Sequence, residues 1–221
     1  MAAIFVFVVD IKQTSAQNLN HELMFWPTLY LQTKSHRGFK GTFEVQPRVA
    51  TEPSDFNSIL LRPYVDYDIN RNLQVGAGYA WVPLFTKKGF IDEQRPFQEA
   101  TVQLERGKFK LINRFRLEER FFDVFGFSLR LRHRIMGFYP IDKEGRWSLV
   151  AWNELFINLN DPGKGPKGGF DQDRFYLGVS RKVSDRITVN LGYQPVFVDR
   201  RQPIVDQYSH AIRMDVGILT F

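Results

Sequence analysis

The sequence predicts an all-β protein, an antiparallel transmembrane β-barrel of ten or twelve strands with a polar, charge-paired interior. Three observations carry that expectation. Eleven stretches of ten to fourteen residues alternate apolar and polar side chains nearly end to end, and a β-strand sends successive side chains to opposite faces. No stretch approaches the ~20 consecutive apolar residues that a spanning helix needs. The chain ends on Phe221 and is rich in aromatics, 15% of its residues, as girdles at two bilayer interfaces require.

Taken in order, the strands are expected over 20–32, 39–49, 57–68, 73–85, 97–106, 109–121, 126–138, 147–159, 172–183, 186–198 and 208–221. In the second, Phe43, Val45 and Val49 oppose Glu44, Gln46 and Arg48. In the third, Ile59, Leu61 and Val65 oppose Arg62, Tyr64 and Asp66. The fourth shows Val75, Ala77, Tyr79 and Trp81 on one face. The fifth sets Val102 and Leu104 against Glu99, Thr101, Gln103 and Glu105. The sixth sets Phe109, Leu111, Phe115 and Leu117 against Arg114, Arg116, Glu118 and Arg120. In the seventh, Phe127, Leu129, Leu131 and Ile135 oppose Arg130, Arg132 and Arg134. The eighth and ninth add Glu154 with Asn158, and Arg174 with Tyr176. In the last, Ile212, Met214 and Val216 oppose Arg213 and Asp215, while Leu219 and Phe221 fall in the other phase. A bulge near Gly217–Ile218 would reconcile the two.

The connections sort by length. Residues 68–72, Gly107 and 184–186 are tight turns rich in turn formers. Segments 86–96, 160–171 and 199–207 are long. Counting back from Phe221, every long segment falls on one side and every tight turn on the other, as in outer-membrane barrels. Eleven strands would put the N-terminus on the wrong side, so an even number is expected, with the miscount near the N-terminus.

An arginine on the lipid face costs roughly 2–4 kcal/mol at the bilayer midplane, so the charged face must line the lumen. The predicted lumen ladder is Arg62, Glu99, Glu105, Arg114, Arg116, Glu118, Arg120, Arg130, Arg132, Arg134, Glu154 and Arg174. Interlocked Arg–Glu pairs fill a narrow interior on one reading. On the other, Arg130, Arg132 and Arg134 make an anion-attracting pocket. The number of acids favours filling.

Composition narrows the rest. The net charge is +6, but the arginines are spread over the whole length, unlike the concentrated patch of a nucleic-acid binder. No nucleic-acid partner is expected. Cysteine is absent, which a closed sheet tolerates. Residues 1–9 form an apolar run and Thr14-Ser15-Ala16 supplies small residues before Gln17. This reads as a signal peptide over 1–16, lacking a basic n-region, with a single barrel domain over 17–221. The expected location is the Gram-negative outer membrane, reached through the periplasm. The expected partners are outer-membrane lipid, lipopolysaccharide near Lys87, Lys88, Lys164 and Lys167, and the barrel-assembly machinery through Phe221.

Chemistry is scarce. His21, His36, His133 and His210 have no metal-ligand spacing. Ser209–His210 and Ser35–His36 are strand neighbours facing opposite ways, so neither is a nucleophile–base pair. Gly163–Gly169 lacks the Lys-Ser/Thr ending of a phosphate loop. No cofactor, metal or catalytic residue is expected, and the protein is read as a non-enzyme.

Several motifs resemble a known family. They are Leu60-Leu61-Arg62-Pro63-Tyr64, Glu118-Glu119-Arg120-Phe121, Leu129 to Arg134, Asn153-Glu154-Leu155-Phe156 with Asn158, and Gly169 to Arg174 before Gly178. Together they are similar to the bacterial family known as domain of unknown function 2490, over roughly residues 20–221. The resemblance implies an outer-membrane barrel without an assigned activity and carries over no catalytic residue. The C-terminal strand departs from the family, whose members usually keep apolar alternation to the end. The expected function is a structural envelope protein or a narrow small-solute channel. The alternatives are a barrel enzyme acting on lipid or lipopolysaccharide, and a soluble β-barrel binding an apolar ligand.

Overall fold

The computed structural model describes residues 20–50, 56–86 and 89–220, and there each alternating stretch is a strand. The strands are β1 (Asn20–Gln32), β2 (Phe39–Ala50), β3 (Phe56–Asp68), β4 (Leu73–Trp81), β5 (Leu84–Thr86), β6 (Gly89–Ile91), β7 (Glu93–Arg106), β8 (Phe109–Phe122), β9 (Gly126–Pro140), β10 (Trp147–Asn158), β11 (Gly169–Lys182), β12 (Ile187–Val198) and β13 (Gln207–Leu219). The short β5–β6 hairpin extends the rim beside β3, to which it pairs at Ser58–Leu84. The other eleven close into one barrel. The expected signal peptide over 1–16, Lys87, Lys88 and Phe221 lie outside the described residues.

The even strand number is corrected: the barrel has eleven strands, not ten or twelve. Chain neighbours in the wall pair antiparallel, and with an odd count the first and last strands run the same way. β1 and β13 therefore close the barrel in parallel, in unbroken register from Asn20–Gln207 to Gln32–Leu219. A parallel ladder satisfies edge groups as an antiparallel one does, with slanted bonds, so closure does not require even parity. Asn20 then lies at the end of the long connections, and Leu219 at the end of the tight turns.

The two faces separate as the alternation predicts. Phe115, Leu177 and Ile212 on the outside are 48%, 54% and 49% exposed, whereas Arg116, Glu118 and Glu154 inside are 1%, 0% and 2% exposed. A soluble barrel around an apolar ligand would need the reverse arrangement of faces.

Local chemistry sets the tight end. At Asn70 the side-chain oxygen accepts the Asn72 and Leu73 N–H groups. Gly107 takes φ +60° in the β7–β8 turn, where a side chain would be strained. Asp142 accepts from the Arg146 and Trp147 N–H groups, and Ser184 from Arg186 and Ile187. At the other end the long connections tie to one another. Arg201 donates to Asp161 and to the Pro166 carbonyl, and Lys167 pairs with Asp199 at 2.6 Å. The Gly163 N–H and the Arg201 guanidinium hold the Asp161 carboxyl below the usual aspartate range.

Two departures concern register. β13 pairs with β1 and β12 without a break, so the bulge expected at Gly217–Ile218 is not formed. A bulge lies instead in β11, where Phe156 opposes Gln172 and Ile157 opposes Phe170. The extra residue, Asp171, is thereby turned into the lumen.

Candidate functional site

Register is what brings the charged residues together. Across β8 and β9, Arg114 faces Arg134, Arg116 faces Arg132 and Glu118 faces Arg130; across β7 and β8, Glu99 faces Arg116. Directly opposed arginines repel, and carboxylates reach in from neighbouring strands to separate them. Glu118 accepts from Arg130 at 2.6 Å and Arg132 at 2.5 Å. Glu154, on β10, accepts from Arg132 at 2.8 Å and Arg114 at 2.7 Å. Glu99 accepts from Arg116 at 2.6 Å, with Arg114 at 3.7 Å. Glu93 accepts from Arg95 and Arg120, each at 2.6 Å. Bulged Asp171 accepts from Arg130 at 2.9 Å and from Asn158 at 3.1 Å.

The result is one continuous zigzag of charge across five strands, β7 to β11. Isolated buried ions cost several kcal/mol each in lost hydration, a cost that only multiple well-placed partners offset. Here every carboxylate of the zigzag accepts from at least two donors. The arginines also lie on aromatic faces: Arg116 is 4.0 Å from the Phe97 ring centroid and Arg132 is 4.5 Å from that of Phe156. Phe97 fits because Gly78 stands against it, where a Cβ would come within 2.7 Å of the ring.

Between this plug and the tight-turn end the lumen opens into a cavity of about 520 Å³, whose wall includes Gln32, Lys110, Ser180 and Thr188 near the strand ends. Two further ion pairs lie on its wall, Arg62–Glu44 at 2.8 Å and Arg213–Asp215 at 2.9 Å. Three arginines on the same wall, Arg48, Arg134 and Arg174, have no carboxylate within ion-pair distance among the described residues. Arg48 donates to Gln46, and Arg174 to Gln172 at 2.8 Å. The Nε atoms of Arg134 and Arg174 are buried and have no hydrogen-bond partner among the described residues. On another part of the wall Val150, Trp152 and Tyr176 pack with Met136 and Phe138. Tyr176 stacks on Trp152 at 5.2 Å and leans over Gly178 and Gly192, where a Cβ would meet its ring or hydroxyl within 2.6 Å.

The predicted ladder is largely one site. Glu99, Arg114, Arg116, Glu118, Arg120, Arg130, Arg132 and Glu154 join the zigzag, Arg62 pairs separately with Glu44, and Arg134 and Arg174 stand apart from any carboxylate. Glu105 is corrected. It has the inward phase but stands exposed at the rim beside Gly107, where it accepts from Gln103 at 2.9 Å. Glu93 and Arg95 belong to the site and fell in a segment read as loop. The lumenal aromatics Trp26, Phe97, Trp152 and Phe156 break the polar alternation that marks an inward face, so periodicity alone passes over them.

Ser209 and His210 face opposite ways, as strand neighbours do. His210 contacts Tyr193 and His21 on the exposed face, while Ser209 points inward to Gln207 and Glu22 and is buried.

The chain belongs to the family described as Protein of unknown function (DUF2490), whose model matches residues 23–208. An uncharacterized protein of Methylorubrum extorquens is 35% identical over 156 residues, covering 68% of each chain. Among solved structures, the NanC porin superposes with a TM-score of 0.54 at 13% identity, covering 86% of this chain and 91% of that one; the likeness is one of fold. An anion-selective porin from Comamonas acidovorans gives a TM-score of 0.42 at 14% identity, covering 85% and 55%. OmpT of Vibrio cholerae gives 0.41 at 15%, covering 72% and 54%.

Proposed function

We propose that this member of the family is an integral outer-membrane β-barrel whose lumen admits small charged solutes from the tight-turn end, as a narrow channel without catalytic chemistry. The observation that carries the reading is the inverted distribution of polarity. Leu23, Val65, Phe115, Phe127, Ile135, Leu177 and Leu191 point away from the barrel and are exposed, while charge fills the inside. Soluble monomers rarely expose contiguous apolar patches beyond a few hundred Å², and a hydrocarbon surround removes that difficulty. The wall strands run from nine to fifteen residues, against the ~9–11 that a tilted transmembrane strand requires.

On this reading the tight turns face the periplasm and the tied long connections face outward. Lys164 meets lipopolysaccharide there, and Phe221 serves barrel assembly. The charge zigzag sits between vestibule and exterior, so it sets which ions pass. An enzyme acting on lipid would place its chemistry on the outer face, where the His21–His210–Tyr193 cluster is built of rings and a phenol without a serine beside it.

The test is expression with a functional signal peptide, isolation of outer membranes, and gel electrophoresis with and without boiling. A heat-dependent mobility shift in the outer-membrane fraction is expected. A protein soluble without detergent and showing no shift sinks the reading.

A further inference from the structure

We propose that the lumen cavity binds a small organic acid, its carboxylate held by Arg48, Arg134 and Arg174 and its apolar body laid against Met136, Phe138, Trp152 and Tyr176. The inference deepens the solute reading above and rests on the lumen being open to solutes.

Charge pairing in the lumen is uneven. Arg62, Arg95, Arg114, Arg116, Arg120, Arg130, Arg132 and Arg213 each have a carboxylate within 4.0 Å. Of the arginines that line the cavity, Arg48, Arg134 and Arg174 have none among the described residues. Unpaired buried charge is unfavourable, and an entering anion relieves it at all three positions. Their places are fixed without a carboxylate. Arg48 and Arg174 lie over the one Trp26 indole, at 4.6 Å and 5.2 Å, and Arg174 also lies 4.5 Å from the Phe156 ring. Arg134 lies 5.6 Å from the Trp152 ring. Arg48 gives Nε and one Nη to Gln46 and Arg174 gives one Nη to Gln172; the N–H groups left over, with the Nε of Arg134 and Arg174, offer a carboxylate charge-assisted donors.

The second observation points to the rest of the ligand. The Met136–Phe138–Val150–Trp152–Tyr176 wall faces the lumen, where no lipid reaches it. An inorganic anion would use the arginines and leave this wall wet. An acid with an aromatic or short aliphatic body uses both. The volume of about 520 Å³ lies within the ~300–1,000 Å³ range of small-ligand pockets.

The test is calorimetric titration of the full chain, folded in detergent and judged folded by its heat-dependent gel shift, with benzoate, phosphate and benzyl alcohol. Benzoate is expected to bind saturably and more tightly than phosphate, with benzyl alcohol weakest. Arg134→Gln should weaken benzoate at least about tenfold, as loss of a charge-assisted hydrogen bond does. Arg48→Gln gives a second reading of the same loss should the first variant fail to fold. Met136→Ser should weaken benzoate and leave phosphate unchanged. A gel-shifting protein with no saturable benzoate binding overturns the proposal and leaves the membrane reading standing. Equal binding of phosphate and benzoate, indifferent to Met136→Ser, also overturns it. Absence of the gel shift counts against the membrane reading instead, and the titration is then read on the soluble protein.

Discussion

Glu118 shows how much a single residue carries. It is fully buried, and its two oxygens accept from Arg130 and Arg132, with Arg95 at 3.9 Å. Removing one member of a buried ion pair leaves its partners charged and unhydrated, a loss of about 3–5 kcal/mol. Glu118→Ala is therefore expected to lower the urea midpoint of the vesicle-inserted barrel strongly. Glu105→Gln, at the exposed rim, should change stability by less than about 0.5 kcal/mol. Comparable midpoints for the two variants would show that the zigzag does not support the fold. The sequence marks both glutamates alike, because both have the inward phase. What separates them is distance along the barrel axis, which alternation does not encode.

At the scale of the strand, alternation is a strong guide to existence and a weak one to ends and register. All eleven wall strands were legible, since each has a charged or apolar face that a one-residue slip would reverse. β7 begins at Glu93, earlier than expected, because Pro96 and the turn formers before it read as loop. Pairing with β4 nevertheless runs from Trp81–Gln94 onward. The β11 bulge was not legible either: it depends on how Ile157 meets Phe170 across strands, not on the local pattern. Closure by a parallel pair yields a sharp expectation. Leu31 and Ile218 are register partners in β1 and β13, and the chain has no cysteine of its own. Leu31→Cys with Ile218→Cys should form a disulfide, since paired strands lie ~4.8 Å apart. A barrel with a further strand between them would hold the two beyond ~7 Å, and no crosslink would form.

For the whole molecule, eleven strands enclose a charged interior behind an apolar exterior, and the proposed membrane location follows from that division: hydrocarbon outside, water and counter-charge within. Tight turns shaped by Asn70, Asp142 and Ser184 join the strands at one end, and the Arg201–Asp161 and Lys167–Asp199 contacts tie the connections at the other. The cavity with its three unmatched arginines reaches toward the tight-turn end. Its charge imbalance was only half visible beforehand, because the sequence shows which residues face inward but not which carboxylate each arginine reaches. The most direct measurement takes single cysteines at consecutive β9 positions 129 to 135, spin-labelled in lipid vesicles. Collision rates would be measured with oxygen, which concentrates in hydrocarbon, and with a water-soluble nickel chelate. Oxygen-dominated relaxation is expected at 129, 131, 133 and 135, and shielding from oxygen at 130, 132 and 134. Uniform chelate access on both faces, or oxygen access at the arginine positions, would contradict the membrane reading.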